Sequence, residues 1–364
     1  MKQFLFRLTL GLAAAAALGT SAHADGGANH QTKQSPPVKM GTSGGSVNDR
    51  SSAFCCGGTL GALVRRDGVV HILSNNHVVG RSGSAAAGED TLQPGLIDTG
   101  CNGANSNIVG DYAGDIVPLG TANVDAAISV ARSNVDGTGS ILDIGVPCSG
   151  TQGATVGLPV MKSGRTTGFT TGTVQAVNVN VSIQYQRGCN QGRKFTVSYS
   201  NQISTSNMSA GGDSGSLLLS NDGTPHPVGL LFAGSSSVTI HNPIQHVVNA
   251  FSAGGHTFDF VGSSCASLTD GSEALSAGGR APSAADVDYV REVKERHEAD
   301  LFARRGVIGA GVGADEEDPE EAVIVLYVET DRAARPRGLP VELDGVKVRI
   351  VPTDPIVALN GCPE

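Results

Sequence analysis

Charged residues make up only 16% of this 364-residue chain, aromatic residues only 4%, and tryptophan is absent. So little charge, set beside 50 glycines, argues against a helical protein and for a mainly β, loop-rich one. No basic run exceeds a few residues and the net charge is −9. A nucleic-acid partner is therefore not expected, because phosphate neutralisation needs clustered Lys and Arg. After the first residues there is no apolar run long enough to span a bilayer. The seven cysteines (Cys55, Cys56, Cys101, Cys148, Cys189, Cys265 and Cys362) contain no C-x₂-C pair, so their spacing does not read as a zinc site. Gly309-x-Gly311-x-x-Ala314 has the outline of a dinucleotide loop, but no helix follows it and Asp315-Glu316-Glu317-Asp318 would repel phosphate. That acidic run reads as a solvated hairpin tip and lacks the spacing of a calcium loop. No metal or cofactor is expected.

What is present divides the chain into stretches of different character. Residues 1–24 read as a signal peptide: Lys2 and Arg7, an apolar stretch from Leu8 to Leu18, then Ala22-His23-Ala24. Export to the periplasm or outside the cell follows, with no membrane attachment after cleavage. An oxidising compartment lets cysteines pair, although seven leaves one over. Residues 25–50, rich in Gly, Ser, Pro and Gln, read as a flexible leader, and residues 256–282 as a Ser/Gly/Ala-rich linker. Between them, residues 51–255 show short strands broken by Gly, Asn and Asp turns. Val177 to Tyr185 alternates apolar and polar residues, one face in and one out. Asn242-Pro243 then starts a helix with Ile244, Val247, Val248 and Phe251 on one face. Residues 283–364 read as a small α+β module. Ser283 caps a helix with Val287, Val290, Val293, His297 and Leu301 in its stripe, and strands follow at 307–312, 322–328 and 346–351. The sequence leaves its role open among folding aid, autoinhibitor and partner-binding module.

The chemistry centres on Gly212-Asp213-Ser214-Gly215-Ser216. Glycines on both sides of a serine allow a tight turn on which two N–H groups converge, which suits a nucleophile with an oxyanion hole. Such a serine needs a base and an acid that orients it. His77 follows the apolar strand Val69–Leu73 and the polar Ser74-Asn75-Asn76; taken alone it reads as a structural histidine at a strand end. Asp125 enters the apolar stretch Ala126–Val130, where an acid is costly unless satisfied. Taken alone it reads equally as a solvated strand-start residue. Asp115 and Asp136 compete for the role from Gly-rich, turn-like contexts. The chain order His77, Asp125, Ser214 is one of those in which Ser/His/acid machinery occurs, and it differs from the Ser, acid, His order of α/β esterases.

Together with Ser163-Gly164-Arg165-Thr166-Thr167-Gly168 and Thr171-Gly172-Thr173-Val174, these segments resemble the chymotrypsin/trypsin-like serine peptidases. The likeness is strongest to the bacterial secreted branch of streptogrisins and alpha-lytic protease. Val78 stands where the family often has cysteine, and Ser216 where it has glycine. The resemblance implies two antiparallel six-stranded β-barrels ending in a helix. It implies catalysis by His77, Asp125 and Ser214 and an oxyanion hole from the N–H groups of Gly212 and Ser214. It also implies an ion pair between Arg165 and Asp213 that preforms the hole without an activating cleavage. A substrate pocket would involve Met208, Phe232 and Gly234; no carboxylate occurs in 206–210 or 229–235, which favours an apolar over a basic side chain. The function so implied is an exported serine endopeptidase acting on proteins or peptides. The alternative is a catalytically silent binding protein on the same fold, with the C-terminal module engaging a partner.

Overall fold

The structure is a computed structural model that describes residues 27–268, 280–330 and 338–362. The expected signal peptide, residues 1–24, and residues 269–279 of the expected linker lie outside the described residues.

Two large sheets make up the molecule. The first has eight strands in the order β14-β3-β4-β7-β6-β5-β1-β2. Six of them come from the expected peptidase region: β2 (Gly58–Leu60), β3 (Ala62–Arg66), β4 (Val69–Ser74), β5 (Asp90–Gln93), β6 (Asn107–Tyr112) and β7 (Ala127–Ala131). The other two correct the expected boundaries. β1 (Thr42–Ser46) belongs to the stretch read as a flexible leader, yet all five of its residues are buried between β2 and β5. Its small side chains make this possible: a Cβ on Gly95 would sit 2.8 Å from the Gly44 carbonyl oxygen, so low complexity here marks close packing. β14 (Phe258–Phe260), from the stretch read as linker, pairs with β3 and stacks Phe258 on Phe251.

The second sheet contains the expected six-stranded barrel. β8 (Pro159–Gly164), β9 (Gly168–Gln186), β10 (Lys194–Ser206), β11 (Leu217–Ser220), β12 (Pro227–Gly234) and β13 (Val238–Pro243) follow one another round, and β9 pairs back onto β10. Helix α1 (Gly27–Gln31) and the single turn α2 (Asn76–Val79) belong with the first sheet. Helix α3 (Ile244–Ser252) closes the second, with Ile244, Val247 and Phe251 buried as their spacing predicts. The alternation expected from Val177 to Tyr185 is interrupted. Asn178 takes φ +51°, so the buried face runs Val174, Ala176 before it and Val179, Val181, Ile183, Tyr185 after it.

The C-terminal stretch is α+β as expected, and Ser283 accepts from the Asp286 N–H as the helix cap. Helix α4 (Ala284–Phe302) precedes β15 (Val307–Ala314), β16 (Ala322–Glu329), β17 (Glu342–Leu343), β18 (Val346–Thr353) and β19 (Val357–Ala358). The Gly309–Ala314 stretch is strand, and Asp315–Asp318 forms the β15–β16 turn. β15 pairs directly with β9, so the barrel sheet runs on into the module. β16 is buried on both faces. Val323, Val325 and Tyr327 pack with Phe232 and Ile240 of the barrel, while Ile324, Leu326 and Val328 pack under α4 with Val290 and Val293. That double burial is why β16 reads as an unbroken apolar run.

Candidate active site

β4 delivers His77 to the junction of the two sheets through Asn75, which is extended, and the turn α2. His77 is buried, and its Nδ1 lies 2.5 Å from Asp125 Oδ2. The other carboxylate oxygen accepts the His77 backbone N–H at 3.2 Å. Asp125 sits two residues before β7 and has no exposed surface. Its backbone is held by Asn75 Nδ2, which donates to its carbonyl at 2.6 Å, and by Asn242 Oδ1, which accepts its N–H at 2.9 Å. The competitors lie elsewhere: Asp115 accepts from Asn76 Nδ2, and Asp136 from Thr138.

A tyrosine pair stands behind the carboxylate, and sequence reasoning missed it. Tyr185 Oη donates to Asp125 Oδ2 at 3.0 Å and lies 2.7 Å from Tyr199 Oη. Burial, with the Asp125 charge behind it, pushes both phenols well above their ordinary range. They therefore stay protonated, and Tyr185 stays a donor. The signal was a tyrosine on the buried face at the end of β9 and a second on β10, two buried aromatics with polar tips that each need a partner; in register Tyr185 faces Phe195 and Tyr199 faces Val181.

Ser214 is fully buried on its turn, and its Oγ donates to the Phe232 carbonyl at 3.0 Å. His77 Nε2 is buried with no hydrogen-bond partner. Of the three residues, His77 and Asp125 form a couple, while the Ser214 hydroxyl is turned to Phe232; among the described residues a Ser214–His77 hydrogen bond is not formed. Gly212 at φ +99° and Gly215 at φ +97° take conformations that a side chain would strain. A Cβ on Gly212 would also meet Thr166 Oγ1 at 2.5 Å. The Gly212 N–H donates to the Leu359 carbonyl at 2.8 Å.

The expected Arg165–Asp213 pair is not there. Asp213 is fully buried 3.3 Å from Lys162 Nζ. It also accepts from the N–H groups of Thr166, Thr167 and Ala210 at 2.8, 3.2 and 2.9 Å and from Thr167 Oγ1 at 2.8 Å. The backbone of the Ser-Gly-Arg loop thus wraps the carboxylate, which turns the Arg165 side chain away. It forms a two-pronged pair with Asp98 instead, Nε–Oδ2 at 2.8 Å and Nη2–Oδ1 at 2.6 Å. Burial pulls the Lys162 pKa down and the Asp213 charge opposes the fall. A lysine directly after the apolar Val160-Met161 was the available signal, since a buried cation demands an anion.

The expected pocket is corrected in part. The Met208 side chain is buried among Leu158, Val160, Val174 and Leu218, inside the barrel. The Phe232 ring packs edge-on against Tyr199, so Phe232 offers the cleft its carbonyl and not its ring. Gly234 is buried against the C-terminal segment, where a Cβ would lie 3.1 Å from Leu359 Cδ1. The cleft beside His77 is lined by Asp49, Cys56, Arg187, Cys189 and Asn360. Four of the seven cysteines form two separate bonds, Cys55–Cys101 and Cys148–Cys265, while Cys56 lies at bonding distance from both Cys189 and Cys362.

A family model, the Nal1 C-terminal domain, matches residues 109–242. No curated protein matches the sequence. Among solved structures, a glutamic-acid-specific serine protease is 22% identical over 61% of this chain and 100% of its own, with a TM-score of 0.42. Thermobifida fusca Protease A is 20% identical over 62% of this chain and 99% of its own, at 0.41. Cellulomonas bogoriensis chymotrypsin is 21% identical over the same shares, at 0.40. The chain is similar to bacterial chymotrypsin-like serine proteases.

Proposed function

We propose that this chain is an exported serine endopeptidase that cleaves peptide bonds through an acyl-enzyme on Ser214. The observation that carries the reading is the buried His77–Asp125 couple with its unpartnered Nε2, taken with a serine on a glycine turn and, on that turn, an N–H that holds a peptide carbonyl. Ser214 Oγ turns from the Phe232 carbonyl toward Nε2 and attacks the substrate carbonyl as His77 takes its proton. Asp125 holds the Nδ1 tautomer and offsets the imidazolium charge, and Tyr185 fixes that carboxylate. The N–H groups of Gly212 and Ser214 stabilise the oxyanion, where losing one donor typically costs about 10²–10³ in rate. His77 then protonates the leaving amine, and water returns the enzyme. The absence of a carboxylate from residues 206–210 and 229–235 supports an apolar side chain on the acyl side. Paired cysteines support export.

The second reading, a silent binding protein, draws on the Ser214 hydroxyl being engaged with Phe232. A fluorophosphonate probe separates the two. The endopeptidase reading expects an adduct on Ser214, found by peptide mass spectrometry, that disappears in His77→Ala. A folded protein with an open cleft and no adduct leaves the binding reading.

A further inference from the structure

The segment after β18 runs back into the cleft and lies across Ser214. Val357 and Ala358 pair antiparallel with Gly234 and Ala233 of β12. The Leu359 N–H donates to the Phe232 carbonyl at 3.2 Å, the same oxygen that accepts from Ser214 Oγ at 3.0 Å. The Leu359 carbonyl accepts the Gly212 N–H at 2.8 Å. The Leu359 peptide is thus clamped on both sides of the nucleophile, with its oxygen on a donor of the proposed oxyanion hole. The Leu359 side chain is buried against Gly234, in an apolar seat. Beyond it the chain stays anchored. Asn360 lines the His77 cleft, Gly361 exchanges two backbone hydrogen bonds with Gly57 at 2.9 and 3.0 Å, and Cys362 reaches Cys56.

We propose that Leu359–Asn360 is a self-processing site, the chain's own C-terminal segment being the first substrate of Ser214. The inference rests on the peptidase reading and deepens it by naming a leucine-type residue on the acyl side. Ser214 Oγ bonds to the Leu359 carbonyl carbon, and the Leu359–Asn360 C–N bond breaks. The serine proton passes through His77 to the Asn360 nitrogen. Water then hydrolyses the ester, leaving a carboxylate on Leu359 and a free hydroxyl on Ser214. A Cys56–Cys362 bond keeps the released segment tethered. Cys189 and Cys362 lie 3.8 Å apart, and the three sulfurs lie within 4.8 Å of one another. Attack of the Cys189 thiolate on Cys56 therefore exchanges that bond for Cys56–Cys189, with Cys362 leaving as the thiolate. No outside oxidant is consumed.

The test is the intact mass of the full chain on incubation, with and without reductant, in wild type, Ser214→Ala and Leu359→Asp. Wild type is expected to end at Leu359 after reduction and Ser214→Ala to remain whole. Leu359→Asp should slow cleavage by at least about tenfold, since its carboxylate enters an apolar seat. The same proteins are treated with the fluorophosphonate probe. A wild type that labels at Ser214 yet keeps the bond overturns self-processing, as does cleavage that persists in Ser214→Ala. If wild type is neither cut nor labelled but Leu359→Asp labels, self-processing fails and the peptidase reading survives. If nothing labels and nothing is cut, the peptidase reading itself has failed, and the inference with it.

Discussion

Lys162 and Asp213 show how much rests on the choice of one counter-ion. Both side chains are fully buried, and their contact sits one residue from Ser214. Removing the cation strands a buried carboxylate that neutral donors, three backbone N–H groups and the Thr167 hydroxyl, must satisfy. Lys162→Met is expected to cost roughly 3–5 kcal/mol, the range for breaking a buried pair. Double-mutant cycles by urea denaturation are the measurement. Asp213→Asn should couple with Lys162→Met by about 1–3 kcal/mol and with Arg165→Ala by close to nothing. Equal coupling with both would return Arg165 to the role expected from the resemblance. The residues of the proposed reaction were picked out jointly, by glycines around Ser214, a polar strand end before His77 and an acid entering an apolar strand at Asp125 in a chain order that such machinery uses, since none of them stands out alone. The counter-ion of Asp213 was not legible. Two cations three residues apart, Lys162 and Arg165, both come near it, and only the path of the intervening backbone decides which points inward.

At the scale of elements, β9 does most of the joining. Its nineteen residues serve the barrel through β8 and β10 and the C-terminal module through β15. The left-handed residue Asn178 lets one strand serve both, because it shifts the buried face midway. Asparagine tolerates that region far better than a β-branched residue. Asn178→Val is expected to destabilise the protein by about 1–2 kcal/mol, lowering the thermal midpoint, while Asn178→Gly should leave it nearly unchanged. Similar losses from both would mean that the Asn178 side chain itself, and not the dihedral, holds the bend, since the Asn180–Asn201 contact and the Lys294 bond to the Asn178 carbonyl do not use that side chain. The alternation of Val177 to Tyr185 announced a strand with one buried face. The slip within it was hidden, since an asparagine on the polar face reads the same whether the pleat is regular or shifted.

For the whole molecule, the module is built into the barrel rather than attached to it. Val323, Val325 and Tyr327 complete a core that Val179, Val181 and Phe232 begin, and the segment after Thr353 returns to the cleft. A chain ending at residue 282 is expected to aggregate or to unfold without a cooperative transition, because it exposes that face to water. A soluble truncation with a sharp melt by calorimetry would restore the independent module expected from composition. Local patterns settled what depends on near neighbours along the chain: the mainly β class, the helices at Ile244 and Ala284, and the glycine turn. Those follow from dihedral preference and hydrophobic period, which act over a few residues. The tertiary structure alone decided that Thr42–Ser46 and Phe258–Phe260 are sheet strands, that Lys162 faces Asp213, that Cys56 has two suitors, and that Leu359 lies across Ser214. Each of these joins residues far apart in sequence, and their pairing depends on which surfaces remain uncovered once the two sheets have formed.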